Sequence, residues 1–345
     1  MNFPSVSLFS STANADLTKF FKRLGCEAST NAYSITGSTP LADSLFSVRY
    51  ALYSKEIPNT ELTAYMRESG GTYLYENLYT LPLGFVVPSD LESNWQYDMG
   101  NPAGVQNDLC DVLGNEHVLV RAEGVVSGNT CDFTADMAGE YYAYVANKQV
   151  TTVKASLTDE TRTFNNTDRG YFLELGRLKA GEQITLTAEE GGSVMDVEIY
   201  RFSEPAMIAL YKKLNNMPWK LTSWTDTRLE GKVTAVEGGV LYTSIPFDEG
   251  WTVTVDGEKA ESYKIFETFL AFDMPEGEHE IVLTYFPKGL IPGIAVSVAS
   301  VLLLVLLYIG TRMQKRKCTD FREEIFFGGG QKCRNRRNLR CFLSG

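Results

Sequence analysis

Residues 290–309 read LIPGIAVSVASVLLLVLLYI, a run of 20 residues without a charged side chain. A helix needs about 20 mostly apolar residues to cross roughly 30 Å of hydrocarbon, so the run has the length of a membrane span. A buried helix of a soluble protein normally carries a polar stripe, and only small residues such as Gly293 and Ser297 interrupt this run. The sequence therefore predicts one transmembrane helix over residues 289–311.

The residues that follow the span are basic, beginning with Arg312 and Lys315. Residues 312–345 hold ten Lys and Arg against three Asp and Glu, a net charge of +7. Because the whole chain has a net charge of −11, residues 1–311 carry −18. Because basic residues mark the cytoplasmic end of a span, we expect a cell-membrane protein with residues 1–288 exterior and a basic cytoplasmic tail. Nucleic-acid binding needs a basic surface, and the acidic part before the tail does not provide one, so DNA and RNA are not expected partners. The expected partner is the lipid bilayer.

The N-terminal residues MNFPSVSLFSSTANADLTKF have neither the basic nor the apolar segment that directs export. We therefore expect an N-terminal transmembrane domain outside this chain to export it, with Met1 an internal residue of a multi-pass protein. One alternative is a cytoplasmic domain with a C-terminal anchor, which would move the tail outward against the positive-inside bias. Another is a gene remnant, because the tail after Arg316 gains Cys and Arg as sequence past a frameshift would.

Three blocks of different pattern open the exterior part. Residues 1–112 combine helical spacing with short β-branched and aromatic runs, which predicts a small mixed α+β region. Residues 113–203 hold short strands separated by turn residues, the pattern of a β-sandwich, here jelly-roll-like. Residues 204–225 follow a Ser203 cap and carry Pro205 in the first turn, which predicts an amphipathic helix linker.

Residues 226–288 are predicted to form a β domain next to the membrane. Asp256 and Gly257 are residue types that favour a tight hairpin turn. A final strand follows, in which His279, Ile281, Leu283 and Tyr285 alternate with Glu280, Val282, Thr284 and Phe286. The expected fold class is therefore mainly β with some α (α+β), with β-sandwich-like exterior domains plus one C-terminal transmembrane helix.

Two local patterns leave alternatives open. Tyr141, Tyr142 and Tyr144 would form a stacking platform for a glycan if they were exposed, but aromatic residues in strands more often fill cores, which we favour. Cys110 and Cys131 would form a disulfide in an oxidising envelope, or would stay as separate thiols.

The sequence contains no recognisable catalytic, cofactor-binding or metal-binding residues. No GxSxG, Walker A or dinucleotide-binding pattern occurs. His117 and His279 fall in different predicted blocks, and Cys318, Cys333 and Cys341 of the tail lack the spacing of zinc ligands. No cofactor is therefore expected.

Several short motifs are spread over the chain. Asp43-Ser44-Leu45 precedes Tyr50, Tyr75-Glu76-Asn77 precedes Leu81-Pro82, and Ser244-Ile245-Pro246-Phe247 precedes Gly250-Trp251. Together with Asp256-Gly257 and Tyr285, these motifs resemble the C-terminal exterior region and last transmembrane helix of the YfhO family of bacterial membrane proteins, although Arg49 stands where that family usually has lysine. The resemblance assigns structural roles to the family-motif residues Asp43, Tyr50, Asn77, Pro82, Pro246, Gly250, Trp251, Asp256, Gly257 and Tyr285.

The resemblance implies a membrane glycosyltransferase of the GT-C type, which moves a sugar from a lipid-linked donor to an envelope polymer such as lipoteichoic acid. Its acidic catalytic residue would lie between N-terminal helices, so the expected role of this chain is that of an accessory exterior domain whose partners are that membrane part and an envelope glycopolymer. The alternative is a membrane-anchored carbohydrate-binding or adhesion domain without catalysis.

Overall fold

The computed structural model describes residues 5–190 and 194–327, with side chains as far as residue 315. Strands make up 41% of the structure and form six sheets, accompanied by six helices, which confirms the predicted α+β class. The side chain of Cys318, all of Cys333 and Cys341, and the predicted tail from residue 328 onward lie outside the described part. The helices are α1 (Ala15–Arg23), α2 (Pro40–Leu45), α3 (Leu91–Asn94), α4 (Pro102–Val112), α5 (Glu204–Leu214) and α6 (Leu290–Phe327).

The N-terminal helices begin at side-chain caps. The Asn14 Oδ1 atom accepts the backbone N–H groups of Asp16 and Leu17 at 2.9 and 3.0 Å, which satisfies two donors that the first turn of α1 leaves free. Helix α1 is followed by Gly25, whose φ of +84° suits a residue without a side chain. The first strands are β1 (Leu8–Phe9), β2 (Ala28–Ser29), β3 (Ala32–Tyr33), β4 (Tyr50–Tyr53), β5 (Thr63–Ser69), β6 (Thr72–Asn77) and β7 (Gly84–Val87).

The middle of the chain forms two facing antiparallel sheets. One sheet has the order β13-β12-β15-β10-β9 and the other β14-β11-β16-β8, and a core that includes Phe133, Tyr141 and Leu186 lies between them. The strands are β8 (Leu119–Ala122), β9 (Gly124–Ser127), β10 (Thr130–Thr134), β11 (Gly139–Val145), β12 (Thr152–Ser156), β13 (Thr161–Asn165), β14 (Leu173–Leu178), β15 (Gln183–Ala188) and β16 (Val197–Phe202). We call this pair the first sandwich.

The chain before α6 forms a second sandwich, in which β7 from the N-terminal region takes part. Its sheets have the orders β17-β18-β24-β20-β21 and β22-β23-β19-β7, and Trp219, Phe272 and Ile281 lie in the core between them. The strands are β17 (Lys220–Thr225), β18 (Arg228–Ala235), β19 (Gly239–Pro246), β20 (Trp251–Val255), β21 (Glu258–Ala260), β22 (Ser262–Ile265), β23 (Phe269–Met274) and β24 (Gly277–Tyr285).

One sheet of each sandwich is partly covered on its outer face as well. In β11 Tyr141 points into the first sandwich, whereas Tyr142 packs with α1, α4 and the outer face of the second sandwich in the largest hydrophobic core. In β19, Leu241 likewise lies in the core of the second sandwich, whereas Tyr242 lies in the largest hydrophobic core. The N-terminal helices are therefore a central layer between the two sandwiches, and the chain up to Phe286 is one compact unit within which the predicted domain boundaries stay predictions.

This packing decides the two alternatives that the sequence left open, the tyrosine platform and the disulfide. Tyr141, Tyr142 and Tyr144 are at most 7% exposed and fill cores, so they form no platform for a glycan. Cys110 and Cys131 are buried free thiols in different hydrophobic cores, so no disulfide joins them.

The predicted membrane span is helical. Helix α6 contains the segment Leu290–Lys315, whose most apolar 18 residues have a mean hydropathy of 2.7 and are not covered by the protein. Its length and composition suit a bilayer-spanning helix, as the sequence predicts for residues 289–311.

Candidate functional site

Three of the motif stretches meet at one junction. The Ser44 hydroxyl donates to the Tyr79 carbonyl at 2.8 Å, and the Ser47 hydroxyl lies 3.2 Å from both the Pro82 carbonyl and the Ser244 hydroxyl. The Asn77 Nδ2 atom donates to the Val48 carbonyl at 2.7 Å. The junction therefore fixes α2 against the strand pair β4 and β6 and against the second sandwich.

Tyr50 and Pro246 lie at the edges of this arrangement. Tyr50 starts β4 opposite Glu76, and 49% of its surface is exposed. Pro246 ends β19 opposite Phe269, past an irregularity in the pairing of β19 with β23.

Gly250, Trp251 and Tyr285 pack at one end of the second sandwich. The rings of Trp251 and Tyr285 face each other across β20 and β24 with centroids 5.0 Å apart. A side chain at Gly250 would place its Cβ atom 2.7 Å from the Phe286 carbonyl oxygen, so this position needs glycine.

Asp256 and Gly257 form the predicted hairpin turn between β20 and β21, with φ of +52° and +85°. The Asp256 carboxylate accepts the Glu280 N–H at 2.8 Å and lies 2.7 Å from the His279 Nδ1 atom. The hydrogen bond to His279 lowers the pKa of Asp256 and raises that of His279. These contacts stabilise the turn, and the assignment of structural roles to the motif residues stays a prediction.

Asp43 is the motif residue with the most unusual environment. Burial raises its pKa to about 7, and its Oδ1 atom is inaccessible to solvent and has no hydrogen-bond partner in the described part of the chain. Desolvation by the surrounding protein also raises the pKa values of Glu140 on β11 and Glu174 on β14 to about 7, although Glu174 keeps part of its surface in water, and the negative charges of neighbouring carboxylates contribute to both shifts. Asp43, Glu140 and Glu174 are called the carboxylate cluster below.

Residues of the loop before α2 and of the first sandwich hold the carboxylate cluster in place. Glu174 keeps access to solvent while its Oε1 atom accepts the Gly37 N–H at 2.8 Å, a contact between the loop before α2 and the first sandwich. Arg177 lies opposite Glu140 in the sheet, with Nη1 3.9 Å from the Glu140 Oε1 atom and 2.6 Å from the Glu204 Oε1 atom. Arg177 thus compensates only part of the negative charge.

Groups with pKa values near neutrality can exchange protons under physiological conditions, and they occur often at functional sites. The carboxylate cluster is therefore the candidate site for proton-dependent behaviour. Within residues 5–190 and 194–315, no group of three or more His, Cys, Asp or Glu side chains has the geometry to hold a metal ion.

The sequence did not reveal Glu140 and Glu174 as site residues. Glu174 alternates with the buried Leu173 and Leu175, which is the pattern of an ordinary solvated strand face. Only the packing of α2 and the preceding loop against that face creates the unusual environment. A sequence signal existed in β11, where Tyr141 to Val145 is a continuous apolar run of the kind found in sheets covered on both faces.

We expect the stability that Asp43 contributes to the unit up to Phe286 to be lost as pH rises from 3.8, the ordinary pKa of an aspartate, to about 7. The folded state favours protonated Asp43, so this contribution is fully present below the unfolded pKa and is lost as pH rises through the folded one. Asp43→Asn should flatten the dependence of the unfolding free energy on pH by up to about 4 kcal/mol across this window. Denaturation of the full chain in detergent at several pH values measures it.

The exposed Glu258 on β21 supplies the matched control, because Glu258→Gln removes a carboxylate far from α2 in the sequence and on another sheet. This variant should keep the wild-type pH dependence. An Asp43→Asn variant with the same slope as wild type would contradict the prediction.

A family model described as "Bacterial membrane protein YfhO" matches residues 1–123 and 114–297. No curated protein matches the chain. Among solved structures, two of the arabinofuranosyltransferase AftD from Mycobacteria are 14% and 11% identical, cover 41% and 60% of this chain and 12% and 24% of theirs, and both have TM-scores of 0.19. A cupin 2 conserved barrel domain protein from Leptotrichia buccalis is 14% identical, covers 48% of this chain and 89% of its own, and has a TM-score of 0.14.

These structural similarities are too weak to support a conclusion about activity. The chain spans less than a quarter of the length of the AftD chains, 12% and 24%. The family match, in contrast, extends over almost all of the exterior unit and into α6.

Proposed function

The chain belongs to the YfhO family of bacterial membrane proteins, and from this membership we propose that residues 1–288 are the accessory exterior part of a GT-C-type glycosyltransferase. Its catalytic membrane part would lie in helices outside this chain, and its acceptor would be a cell-envelope polymer such as lipoteichoic acid. The exterior part would hold the polymer near the membrane core of the enzyme.

The observation that carries this proposal is the single core shared by three parts of the exterior unit. Phe20 of α1, Phe172 before β14 and Phe269 of β23 are at most 1% exposed and lie in the same hydrophobic core. A core that joins both sandwiches through a central layer makes the unit a rigid body, which suits the positioning of a polymer better than a string of independent modules would.

The charge distribution supports the proposed orientation. Arg312 and Lys315 follow the apolar part of α6, whereas the residues before the tail carry a net charge of −18. Basic residues beside a span mark its cytoplasmic side, so the acidic unit would face the exterior and the tail the cytoplasm.

The test is complementation in a strain that lacks the gene, with the reading frame extended to include in-frame DNA upstream of Met1. We expect that DNA to encode transmembrane helices, and we expect deletion of residues 5–286 to abolish sugar transfer to the envelope polymer. Trp224→Ala, which changes a side chain that is 70% exposed, serves as the control and should leave transfer intact. Incorporation of labelled sugar into purified polymer is the measurement.

Sugar transfer that continues unchanged after the deletion would contradict the accessory role. An in-frame stop codon just before Met1, with no export signal, would contradict the enzyme assignment. The second candidate, a membrane-anchored carbohydrate-binding or adhesion domain without catalysis, is favoured by one observation, a groove with both polar and apolar walls beside the exposed ring of Phe9.

A further inference from the structure

A groove of about 300 Å³ lies beside the small sheet of β1, β3 and β2. In this sheet Phe9 lies opposite Ala32, and Ala32 lies opposite Ser29, so these three side chains share one row and one face. The neighbouring row of Leu8, Tyr33 and Ala28 also lines the groove, and Tyr33 and Ala28 belong to the largest hydrophobic core as well. The small size of Ala32 and Ser29 leaves the space next to the ring of Phe9.

The first sandwich supplies the far wall of the groove. The Arg169 Nη1 atom lies 2.5 Å from the Glu27 Oε1 atom, and the two side chains are 37% and 24% exposed. A guanidinium group has five N–H donors and a carboxylate has about four acceptor positions, so one contact leaves most of them available. Backbone hydrogen bonds from Glu27 to Thr36 and from Ser34 to Glu27, at 2.8 and 3.0 Å, hold Glu27 in place.

Phe9 is the most exposed aromatic ring of the described residues, at 86%. Because this ring stands at the edge of the groove, its apolar face is available for a ligand to stack on. The sugars of a glycan have both surfaces that this site requires: an apolar face of C–H groups for the ring, and hydroxyl groups for the charged pair and for the hydroxyls of Ser7, Ser29 and Ser34, which also line the groove.

The charge and the volume of the groove limit further which ligands it can bind. Glu27 and Arg169 cancel each other, so the groove as a whole favours a neutral ligand, and an anionic phosphate would be repelled by Glu27. A volume of about 300 Å³ is at the lower end of the range of small-molecule sites, which suits one or two sugar rings.

We propose that the groove formed by Phe9, Ser29, Ala32, Glu27 and Arg169 binds a neutral sugar residue of an envelope glycan. The choice of an envelope glycan rests on the proposed function, whereas the sugar-binding chemistry rests on the groove itself. The ring of Phe9 stacks on one face of the sugar, and the Glu27–Arg169 pair binds its hydroxyl groups.

The experiment uses the full chain in lipid nanodiscs, with methyl glucoside and methyl N-acetylglucosaminide as neutral probes, glycerol phosphate as an anionic probe, and saturation-transfer NMR as the readout. We expect at least one neutral probe to bind and glycerol phosphate not to bind. Phe9→Ala should weaken binding about tenfold by removing the stacking surface. Ala32→Leu should abolish binding because its side chain fills the groove.

Trp224→Ala is the matched control, since it removes another exposed aromatic ring, from β17, and should bind like wild type. Absence of binding by both neutral probes, preferred binding of glycerol phosphate, or wild-type affinity in Phe9→Ala would each overturn the proposal. Because Phe9 contributes little buried surface, a loss of affinity in its variant reports on the ligand and not on folding.

The two proposals fail in different ways. If sugar transfer needs residues 5–286 but the wild-type chain binds no sugar, the groove proposal is wrong and the accessory role stands. If the groove binds sugar but sugar transfer does not need the exterior unit, the accessory role is wrong and the binding site stands.

Discussion

Gly25→Ala is expected to lower the free energy of unfolding of the exterior unit by about 2–5 kcal/mol. Gly25 has a φ of +84°, and a Cβ atom there would lie 2.3 Å from Cδ2 and 2.5 Å from Cε2 of Phe172. The Gly25 carbonyl also accepts the Phe172 N–H at 2.8 Å, so the two backbones cannot separate without losing this bond. Chemical denaturation of the full chain in detergent measures the loss.

The Gly181→Ala variant separates the effect of backbone strain from the effect of the contact with Phe172. Gly181 has nearly the same φ, +81°, but a Cβ atom there would have nothing within 4 Å. Its variant carries the backbone strain alone and should cost about 1 kcal/mol. Equal losses in the two variants would show that contact with Phe172 does not matter, against this prediction.

Phe172→Ala is expected to lower the same free energy by about 3–5 kcal/mol. Phe172 is fully buried and packs its ring among Tyr142, Tyr144 and Tyr200, with ring centroids 5.9 to 6.3 Å away. Its removal leaves a cavity where the N-terminal region meets the first sandwich. Phe286→Ala is the control, because Phe286 is 51% exposed and its removal should change stability little.

The double variant with Gly25→Ala and Phe172→Ala provides a second test. Without the ring, the added methyl group no longer meets Phe172, so the two losses should sum to more than the loss in the double variant. Strict additivity would contradict the close contact between these residues. The comparison measures the coupling directly.

The contact between Gly25 and Phe172 also holds both proposed sites in place. A Cβ atom at Gly37 would lie 2.6 Å from the Phe172 carbonyl oxygen and 2.8 Å from that of Gly25, and the Gly37 N–H donates to Glu174. Glu27, which follows Gly25 closely, reaches Arg169 at the edge of the groove. Variants that loosen this contact should therefore disturb both the carboxylate cluster and the sugar groove.

The sequence by itself determined the features that depend on neighbouring residues. Twenty uncharged residues from Leu290 specified a membrane-length helix, the Ser203 cap began α5, and Asp256-Gly257 formed the predicted turn. Each of these follows from local hydrophobicity, capping or backbone preference, and such signals lie within a few residues of one another. The same regularity allowed the fold class to be predicted.

Only the tertiary structure decided what covers each strand face. Tyr142 and Glu174 stand opposite each other on one face of the first sandwich, and the sequence pattern left that face open to water. The central helices cover the part around Tyr142, which turned a conceivable glycan platform into core and raised the pKa of Glu174. Phe9, in contrast, stays 86% exposed beside the groove that it lines with Ala32, Glu27 and Arg169. Burial depends on residues far apart in the chain, and no short-range pattern specifies it.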